Sequence, residues 1–387
     1  MKKGPIAVIG AGASGLLCAY FLGRNGYPVE IFEKNDRMAK KLNATGNGRC
    51  NFTNAAVSPD QYYGSKDFIK EVLNAVPVER VLACFREIGV FPYEKDGYFY
   101  PYSNRARTVS DALVQGVKQE NITVHLSSKV VKIRKTSEGF AVYVKGTEPA
   151  LFQKVILACG GAACSSLGGS GSGYLLAKSL SHSVQSPVPG LTGISLVEDL
   201  GRVFQKIRCR GQINVVSEGV TYSDTGEIQW VKEGISGIPV FQVSRVVARA
   251  LEEGKEVKAS VDFLPDMTVE EAEEWVSVHG YDGLFHERMS AYFKKHLIAA
   301  ATMKDFPITP VQTFGMERAQ VTAGGVVTEE VDEKTMESKH CKNLYILGEL
   351  LDVDGICGGF NLHFAWATAL ICKDAICRDV IGTDGNR

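Results

Sequence analysis

A short apolar strand that runs directly into a glycine-rich turn constrains this chain more than any other feature. Residues 6–9 are apolar, and glycines follow at positions 10, 12 and 15 before a second apolar stretch. In a βαβ unit the first glycine permits the tight turn, the second lets a diphosphate approach the backbone, and the third lets helix pack on strand. The sequence therefore predicts cofactor contacts at the start of a helix, at Gly10, Gly12, Ala13, Ser14 and Gly15.

An acidic residue completes this unit. Residues 29–32 form a second apolar run, and Glu33 ends it, eighteen residues after Gly15. A carboxylate at this place binds a ribose 2′-hydroxyl, which favours FAD or NAD over NADP. We expect Glu33 and the neighbouring Lys34 to contact the adenosine half of the cofactor.

The next segment distinguishes FAD from NAD. Residues 40–54 carry a second glycine turn with lysines before it and an arginine within it. Such a turn can surround the diphosphate and reach toward the ring of a long cofactor. The predicted contacts in this segment are Lys41, Thr45, Gly46, Asn47, Gly48, Arg49, Cys50 and Asn51.

Two later strands also end in glycines. Residues 155–158 lead into Cys159, Gly160 and Gly161, and residues 343–347 lead into Gly348 and Glu349. Open α/β folds bind ligands at the carboxyl edge of the sheet, and Glu349 suits a ribityl hydroxyl. We expect contacts from Ala158, Cys159, Gly160, Gly161, Gly348 and Glu349, together with Val130 and Val131 at the start of another predicted strand.

A loop of closely spaced glycines precedes the C-terminal helix. Gly355, Gly358 and Gly359 come before an apolar helix predicted from Asn361 to about residue 376. We expect Gly359, Asn361 and Leu362 to contact the flavin, with Asn361 capping the helix and the positive helix end facing flavin N1 and the C2 carbonyl. The alternative is an ordinary helix cap after a loop.

Composition excludes several classes of partner. The 387 residues include 43 basic and 44 acidic side chains, with no basic block, so neither a nucleic-acid partner nor an anionic membrane is expected. The first strand begins too early for a signal peptide, and no apolar run reaches membrane-spanning length, so we expect a cytoplasmic protein. The ten cysteines form no CxxC pair, and no HExxH motif or His/Cys cluster occurs, so no metal is expected.

Taken together, these motifs resemble a family of bacterial flavoproteins. The resemblance rests on residues 10–15, 40–54, 155–173, 234–239 and 343–366, and its most specific part is TGNGRCNFTN at residues 45–54. The family is that of the aminoacetone oxidase-like and 3-dehydro-bile acid Δ4,6-reductase-like (BaiN-type) NAD(P)/FAD-dependent oxidoreductases. It implies an α/β fold, with a discontinuous Rossmann-like FAD-binding domain, an inserted β-barrel-like subdomain and a small helical subdomain.

The expected boundaries follow from the changes in pattern along the chain. We place the FAD-binding domain at residues 1–188 and 309–387. The inserted β-rich subdomain is predicted at residues 189–266 and the helical subdomain at residues 267–308, where Thr268 and Glu271 form a capping box. The oligomeric state is left open.

Three residues are candidates for catalysis. The chain reads Phe360, Asn361, Leu362, His363 where family members often read Tyr-Asn-Leu-Gln, so His363 is predicted beside the flavin as a proton donor or, alternatively, as a replacement for a glutamine hydrogen bond. Asp96 and Gly97 predict a hairpin turn. Just after it, Tyr98, Tyr100 and Tyr102 alternate, and on one strand face they would form either a substrate wall, with Tyr100 catalytic, or cross-strand packing. Arg49 is predicted to contact the cofactor or a substrate carbonyl.

The resemblance implies an NAD(P)H-dependent FAD enzyme. No second dinucleotide motif is present, so NAD(P)H would bind transiently and reduce the flavin, which then transfers hydride from N5 to a C=C bond conjugated to a ketone. A steroid or bile-acid-like substrate, hydrophobic and ring-shaped, is the leading hypothesis. One alternative is an O₂-dependent oxidase of small amino ketones such as aminoacetone, and another is a flavin-bearing binding or RNA-modifying protein.

Overall fold

The computed structural model describes residues 3–120 and 122–384, with side chains as far as residue 378. The chain divides into two compact units, one formed by residues 1–187 and 322–387 and the other by residues 188–321. We call them the cofactor unit and the insert. The boundary at 322 differs from the expected return at 309, because strands Phe306–Ile308 and Pro310–Thr313 belong to the sheet of the insert.

A five-stranded parallel sheet forms the centre of the cofactor unit. Four of its strands are almost fully buried, as expected for a parallel sheet covered on both faces, whereas the edge strand Ile122–His125 is partly exposed. In spatial order they are Leu344–Ile346, Lys154–Leu157, Ile6–Ile9, Val29–Phe32 and Ile122–His125. The parallel pairing of Ile122–His125 with Val29–Phe32 makes it the edge strand of this sheet.

Smaller sheets and helices surround the parallel sheet. The antiparallel sheets of the cofactor unit consist of Val130–Thr136, Gly139–Val144 and Ala150–Phe152; of Thr53–Asn54, Tyr98–Pro101 and Pro92–Lys95; and of Tyr62–Tyr63 with Asp354–Gly355. Its α-helices are Ala13–Arg24, Lys66–Ala75, Val78–Glu87, Ala106–Gln119, Ser172–Ser179 and Phe360–Asp384. Its 3₁₀ turns are Leu42–Gly48, Pro59–Gln61, Ser165–Leu167, Thr328–Glu330 and Gly348–Leu350. None of the helices described is long and apolar enough to cross a membrane.

The insert contains one seven-stranded antiparallel sheet. Its order is Phe306–Ile308, Lys258–Asp262, Arg208–Ser217, Val220–Val231, Gly234–Ser236, Ile194–Leu196 and Pro310–Thr313. The two edge strands are joined through Thr309 alone, so the sheet must curve to bring its edges together. The edge strands do not pair with each other, so the sheet is not a closed barrel. In sequence, the insert begins with the short strand Val188–Gly190 and ends at the first residue of the short strand Val321–Ala323.

The helices of the insert share the core of its sheet. They are Leu200–Val203, Ile238–Glu252, Val269–His279, Glu287–Lys295, Ala300–Lys304 and Gly315–Arg318. The predicted capping box at Thr268 and Glu271 is confirmed, with both reciprocal hydrogen bonds formed. Met289, Phe293 and Met303 are fully buried in one cluster with Trp230 from the sheet. The segment predicted as a separate helical subdomain therefore has no core of its own.

We expect Phe293→Ala to destabilise the protein strongly. Phe293 is fully buried and its ring contacts those of Phe204, Phe263, Phe285 and Phe306. Loss of a buried phenylalanine costs about 3–5 kcal/mol because a cavity remains. Urea unfolding followed by circular dichroism measures the change. The control Val278→Ala, at a residue 68 % exposed, should stay within about 0.5 kcal/mol of wild type, and an equally small effect of Phe293→Ala would contradict this account of the core.

Candidate functional site

The first glycine turn contains two glycines that the protein itself requires. Gly10 has φ +110°, and a Cβ added there would lie 2.4 Å from the carbonyl oxygen of Ala158. A Cβ on Gly15 would lie 2.1 Å from the carbonyl oxygen of Gly10. Both distances are far below van der Waals contact. These two glycines therefore allow the helix Ala13–Arg24 to approach the strands Ile6–Ile9 and Lys154–Leu157.

Gly12 is different, because nothing in the protein requires it. Its φ of −85° is open to any residue, and a Cβ added there would meet no atom within 4 Å. Gly12 is the N-cap of the helix, and no side chain caps that end. The unused space and the N–H groups of the first helical turn fit a phosphate. The residues present therefore fit the diphosphate of an adenine dinucleotide.

Glu33 lies beside this turn, at the end of the second strand. Its Oε2 accepts a hydrogen bond of 2.8 Å from the backbone N–H of Ala11, and its Oε1 accepts one of 2.8 Å from that of Asn35. These bonds fix an acidic group next to the helix N-terminus. Lys34 hydrogen-bonds Ser170, and burial lowers the pKa of its ammonium.

The predicted adenosine contacts at residues 130 and 131 lie close to Glu33. The backbone N–H of Ser128 donates to the carbonyl of Glu33 at 2.8 Å. Val130 is buried, whereas Val131 is half exposed, at a shift of register between Val130 and Lys132 in the strand pair. The strand that carries Val130 and Val131 therefore begins two residues after a backbone contact with Glu33.

The segment after Lys41 forms an exposed loop with left-handed backbone. Gly46, Asn47, Gly48 and Cys50 all have φ between +53° and +82°. The loop is closed by hydrogen bonds of 3.1 Å from Cys50 N to Thr45 O and from Arg49 N to Gly46 O. Leu42 and Cys50 are buried at the two ends of this loop. Burial raises the pKa of the Cys50 thiol to about 12, so it is not a thiolate at neutral pH.

An ion pair joins this loop to the C-terminal part of the chain. Lys41 Nζ lies 2.7 Å from Glu349 Oε2 and 2.9 Å from Oε1. The Oε1 atom also accepts from the backbone N–H of Thr322 at 3.0 Å. Thr322 in turn accepts, through Oγ1, from the N–H groups of Ala162 and Ala163 at 2.8 and 2.9 Å. Glu349 is therefore held by the protein at the edge of the parallel sheet.

Three predicted motifs meet at this point. A Cβ on Gly160 would lie 3.9 Å from Glu349 Oε2, and one on Gly348 would lie 2.9 Å from Ser14 Oγ. Cys159 hydrogen-bonds the carbonyl of Ile9, and burial raises the pKa of its thiol to about 12. The structure therefore brings the glycine turns at 10–15, 158–161 and 348–349 together. Thr322, which links two of them, was missed because no motif surrounds it.

The last glycine loop is fastened by two asparagines. The side chain of Asn361 bonds Gly355 through both its oxygen and its nitrogen, at 2.8 and 2.7 Å. Asn54 donates to the carbonyl of Gly358 at 2.9 Å. The helix begins at Phe360, so the predicted helix cap at Asn361 is wrong, since its side chain is already bonded to the loop. Leu362 lies in the first turn of this helix, whose leading N–H groups have no acceptor within the helix.

A buried oxygen without a partner marks the centre of this region. Asn51 Oδ1 is buried and has no hydrogen-bond partner among the described residues. A Cβ on Gly359, whose φ is +92°, would lie 2.7 Å from it. An unsatisfied buried acceptor is costly, and a donor on a bound ring would satisfy it. This observation fits a flavin at the junction of residues 46–51 and 355–362.

The aromatic hairpin, formed by Pro92–Lys95 and Tyr98–Pro101, borders the same region. Its turn at Asp96 and Gly97 has positive φ at both residues, as predicted for a two-residue hairpin. Tyr98 lies against Gly358, since a Cβ on that glycine would meet its ring at 3.3 Å. Tyr98 and Tyr100 share a strand face. Tyr102 is 73 % exposed just after the strand, but its backbone N–H donates to the carbonyl of Phe91 and its ring contacts Tyr93, the cross-strand partner of Tyr100. The three alternating tyrosines therefore lie on one face, and the contacts of Tyr93 fit the predicted cross-strand packing.

Arg49 and Tyr100 interact electrostatically. Burial raises the pKa of the Tyr100 hydroxyl, as does the nearby Tyr98, while the charge of Arg49 opposes the shift. Tyr100 is therefore a protonated hydrogen-bond donor at neutral pH. The Tyr100 ring also packs on Tyr93, with ring centroids 5.8 Å apart, so packing and a donor role coexist. Arg49 itself is exposed.

His363 does not face this region, which contradicts the predicted catalytic role. Its side chain is fully buried, with Nδ1 2.8 Å from Thr53 Oγ1 and Nε2 3.1 Å from the carbonyl of Val76. Both ring nitrogens are thus occupied within the core. His363 lies about one helical turn after the glycine loop, and its two ring nitrogens are directed to Thr53 and Val76 in the core. The geometry fits the alternative prediction, a replacement for a glutamine hydrogen bond.

Comparisons with known proteins agree with this architecture. A family model described as "HI0933-like protein Rossmann domain" matches residues 4–375. A 3-dehydro-bile acid Δ(4,6)-reductase of Clostridium scindens is 36 % identical, over 96 % of this chain and 98 % of that protein. A ribosomal RNA dihydrouridine synthase of Escherichia coli is 27 % identical, over the same shares of the two chains.

A solved structure shows the same fold. It is the 3-ketosteroid-Δ4-(5α)-dehydrogenase from Rhodococcus jostii RHA1 in complex with 4-androstene-3,17-dione, with a TM-score of 0.54 and 13 % identity. The match covers 97 % of this chain and 96 % of that one.

Two glycine substitutions should separate cofactor binding from folding. We expect Gly12→Ala to keep the melting temperature of the flavin-free protein within a few degrees of wild type but to lose most bound FAD. Gly15→Ala should instead lower the melting temperature, because its Cβ would strike Gly10 O. Flavin content by absorbance and thermal unfolding by circular dichroism measure both effects. Full flavin content in Gly12→Ala would contradict the phosphate assignment.

His363 should make the protein sensitive to acid. Burial lowers its pKa from 6.5 to about 4, so between these values the unfolded chain takes up a proton and the folded protein does not. Folding stability should fall on the order of 3 kcal/mol as pH drops through this window. In His363→Gln, which can keep both hydrogen bonds, unfolding free energy measured in urea should depend less on pH. An unchanged dependence would contradict the buried neutral imidazole.

Proposed function

The chain belongs to the HI0933-like Rossmann-domain family and is an FAD-dependent oxidoreductase, and we propose that it reduces a C=C bond conjugated to a ketone. The proposed substrate is hydrophobic and ring-shaped, like a steroid or bile acid, and NAD(P)H is the proposed hydride donor in the cytoplasm. The observation that carries the proposal is the position of the aromatic hairpin, with Tyr98 against Gly358 and Tyr100 near the charge of Arg49. The 3-dehydro-bile acid Δ(4,6)-reductase that is 36 % identical to this chain supports the substrate class.

The residues proposed to hold FAD form two groups. The diphosphate and adenosine are assigned to the helix turn at Gly12, to Glu33 and to residues 130–131. The redox-active half is assigned to the junction of residues 46–51 and 355–362, including the unpartnered Asn51 Oδ1. When bound there, FAD supplies the two-electron chemistry that the side chains lack. Lys41 and Glu349, held by their ion pair, lie between the two groups.

The chain's own residues have separate tasks in this proposal. Arg49 donates hydrogen bonds to the substrate carbonyl and stabilises the negative charge that develops on its oxygen when hydride reaches the β-carbon. Tyr100, protonated because its pKa is raised, supplies the proton to the α-carbon. The faces of Tyr98 and Tyr100 bind the flat rings of the substrate and exclude water. Hydride and proton together saturate the C=C bond.

Ribosomal RNA is a second candidate substrate. The C5=C6 bond of uracil is conjugated to the C4 carbonyl, so its reduction to dihydrouridine requires the same chemistry, and one relative carries that name. Phe91 and Tyr102 are 65 % and 73 % exposed at the base of the aromatic hairpin, and Arg86 lies over the Phe91 ring at 6.0 Å. Exposed aromatics beside arginine are surfaces on which unpaired bases stack. The near-zero net charge and the lower identity favour the steroid substrate.

An anaerobic assay distinguishes these substrates. The flavin is first reduced with NADH or NADPH, and its reoxidation at about 450 nm is followed after adding a 3-oxo-Δ4 steroid, an unmodified rRNA fragment or buffer. We expect rapid reoxidation by the steroid. Reoxidation by RNA alone would move the assignment to the second candidate. Failure of every C=C acceptor, with hydrogen peroxide formed from aminoacetone in air, would contradict the proposal.

Substitutions test the two donors. We expect Tyr100→Phe and Arg49→Gln each to slow reoxidation by the steroid about 10- to 100-fold, because each removes a proton or charge donor. Reduction by NAD(P)H and flavin content should change much less. Tyr102→Phe is the matched control, since Tyr102 is 73 % exposed at the end of the hairpin opposite its turn, and it should behave like wild type. Equal rates in Tyr100→Phe and Tyr102→Phe would contradict the role of Tyr100.

A further inference from the structure

Three side chains of the cofactor unit converge at a place that the flavin site does not use. His182 follows the helix Ser172–Ser179, Glu330 ends the turn Thr328–Glu330, and His340 follows the bridge between Val331 and Ser338. One ligand atom from each lies within 4.8 Å of the others, and in the described part of the chain this is the one such group of three. We propose that His182, Glu330 and His340 bind a divalent transition metal ion, and that zinc matches them.

The distances approach those of a coordination sphere. His182 Nδ1 lies 3.0 Å from Glu330 Oε2, and His340 Nε2 lies 3.5 Å from the same oxygen. In tetrahedral zinc sites, with bonds of about 2.0–2.1 Å to nitrogen and oxygen, neighbouring ligand atoms are about 3.4 Å apart. Two imidazoles and one carboxylate, with water in the fourth position, are a known zinc donor set. Small side-chain movements suffice to complete it.

A hydroxyl group orients the buried histidine from behind. His182 Nε2 lies 2.8 Å from Ser338 Oγ, which also accepts from the N–H groups of His340 and Cys341 at 3.1 and 2.9 Å. Metal-bound histidines almost always use their second nitrogen in this way, because the bond fixes the ring and its tautomer. Ser338 therefore positions both His182 and the chain that carries His340.

The protonation states also suit a metal. Burial lowers the pKa of His182, against the opposing effect of Glu330, so its imidazole is neutral at pH 7. Partial burial acts to raise the pKa of Glu330, but hydrogen bonds from Ser183 and His182 hold it below its ordinary value. A neutral imidazole and an ionised carboxylate are the forms that bind metals.

Binding requires a change of tautomer but no net loss of a proton from His182. Since the carboxylate of Glu330 can only accept, the 3.0 Å contact places the proton on Nδ1. A metal at Nδ1 moves that proton to Nε2. Because Ser338 Oγ already accepts from two backbone N–H groups and a hydroxyl has two lone pairs, it accepts this proton in place of the longer bond, from His340 N at 3.1 Å. The ion would join the segment after Ser172–Ser179 to residues 330–340, and this role does not depend on the flavin reaction.

Zinc titration of the flavin-bound protein tests the proposal. Free Zn²⁺ is measured by competition with a chromophoric chelator, and the melting temperature is recorded with and without zinc. The test variant is His340→Gln, because His340 is 42 % exposed and its replacement disturbs no core. The matched control is His125→Gln, since His125 also pairs with a carboxylate, Glu30, at 2.7 Å, without a third ligand among the described residues.

We expect wild type and His125→Gln to bind one zinc and to melt at a higher temperature with it. His340→Gln should bind zinc at least about tenfold more weakly and show no increase in melting temperature. Glu330→Gln, with folding checked by circular dichroism, should show the same loss. The proposal is overturned if wild type binds no zinc at 100-fold excess. It is also overturned if His340→Gln binds zinc as tightly as wild type, which is the result expected if cysteines bind the ion instead.

Discussion

Parallel pairing of three strands that are far apart in sequence is the constraint on which the cofactor unit depends. Ile6–Ile9 pairs with Lys154–Leu157, which pairs with Leu344–Ile346. Because parallel strands end at the same edge of a sheet, the three glycine segments that follow them must meet. Every other feature of the candidate site, from the Glu33 carboxylate to the aromatic hairpin, is positioned relative to this edge.

The glycines at this edge fall into two physical classes. Gly10 and Gly15 are required by the protein, since a Cβ at either would strike a carbonyl oxygen. Gly12 is required neither by its backbone conformation nor by its neighbours. A bound ligand explains a glycine in open space beside uncapped helical N–H groups, because the ligand fills the space and accepts the hydrogen bonds. The same reasoning applies to Asn51 Oδ1, a buried acceptor that the described residues leave without a donor.

The polar groups near the site fall into two sets. One set forms hydrogen bonds or ion pairs within the protein, and the other remains available to bind a ligand. Lys41 and Glu349 satisfy each other, Asn361 and Asn54 fasten the loop at 355–358, and His363 is bonded on both sides within the core. Arg49 is exposed, and Tyr100 keeps its proton. Chemistry is therefore assigned to the side chains that the fold does not already use. The zinc proposal follows a different logic, in which three donors already approach one point.

The sequence by itself determined the fold class, the dinucleotide unit and the family, because glycine spacing, apolar runs and a terminal acid are local patterns with fixed physical meaning. It also predicted the hairpin turn at Asp96 and Gly97 and the capping box at Thr268, both set by adjacent residues.

Only the tertiary structure decided which way side chains face. His363 lies in the core because Thr53 and Val76, which are distant in sequence, occupy both of its ring nitrogens. Cross-strand pairing decided that Tyr100 packs on Tyr93, and pairing of Pro310–Thr313 decided that the insert extends to residue 321. Thr322 and the cluster of His182, Glu330 and His340 had no sequence signal, since the bonds of Thr322 to Ala162 and of His182 to Glu330 span more than 140 residues and depend on packing alone.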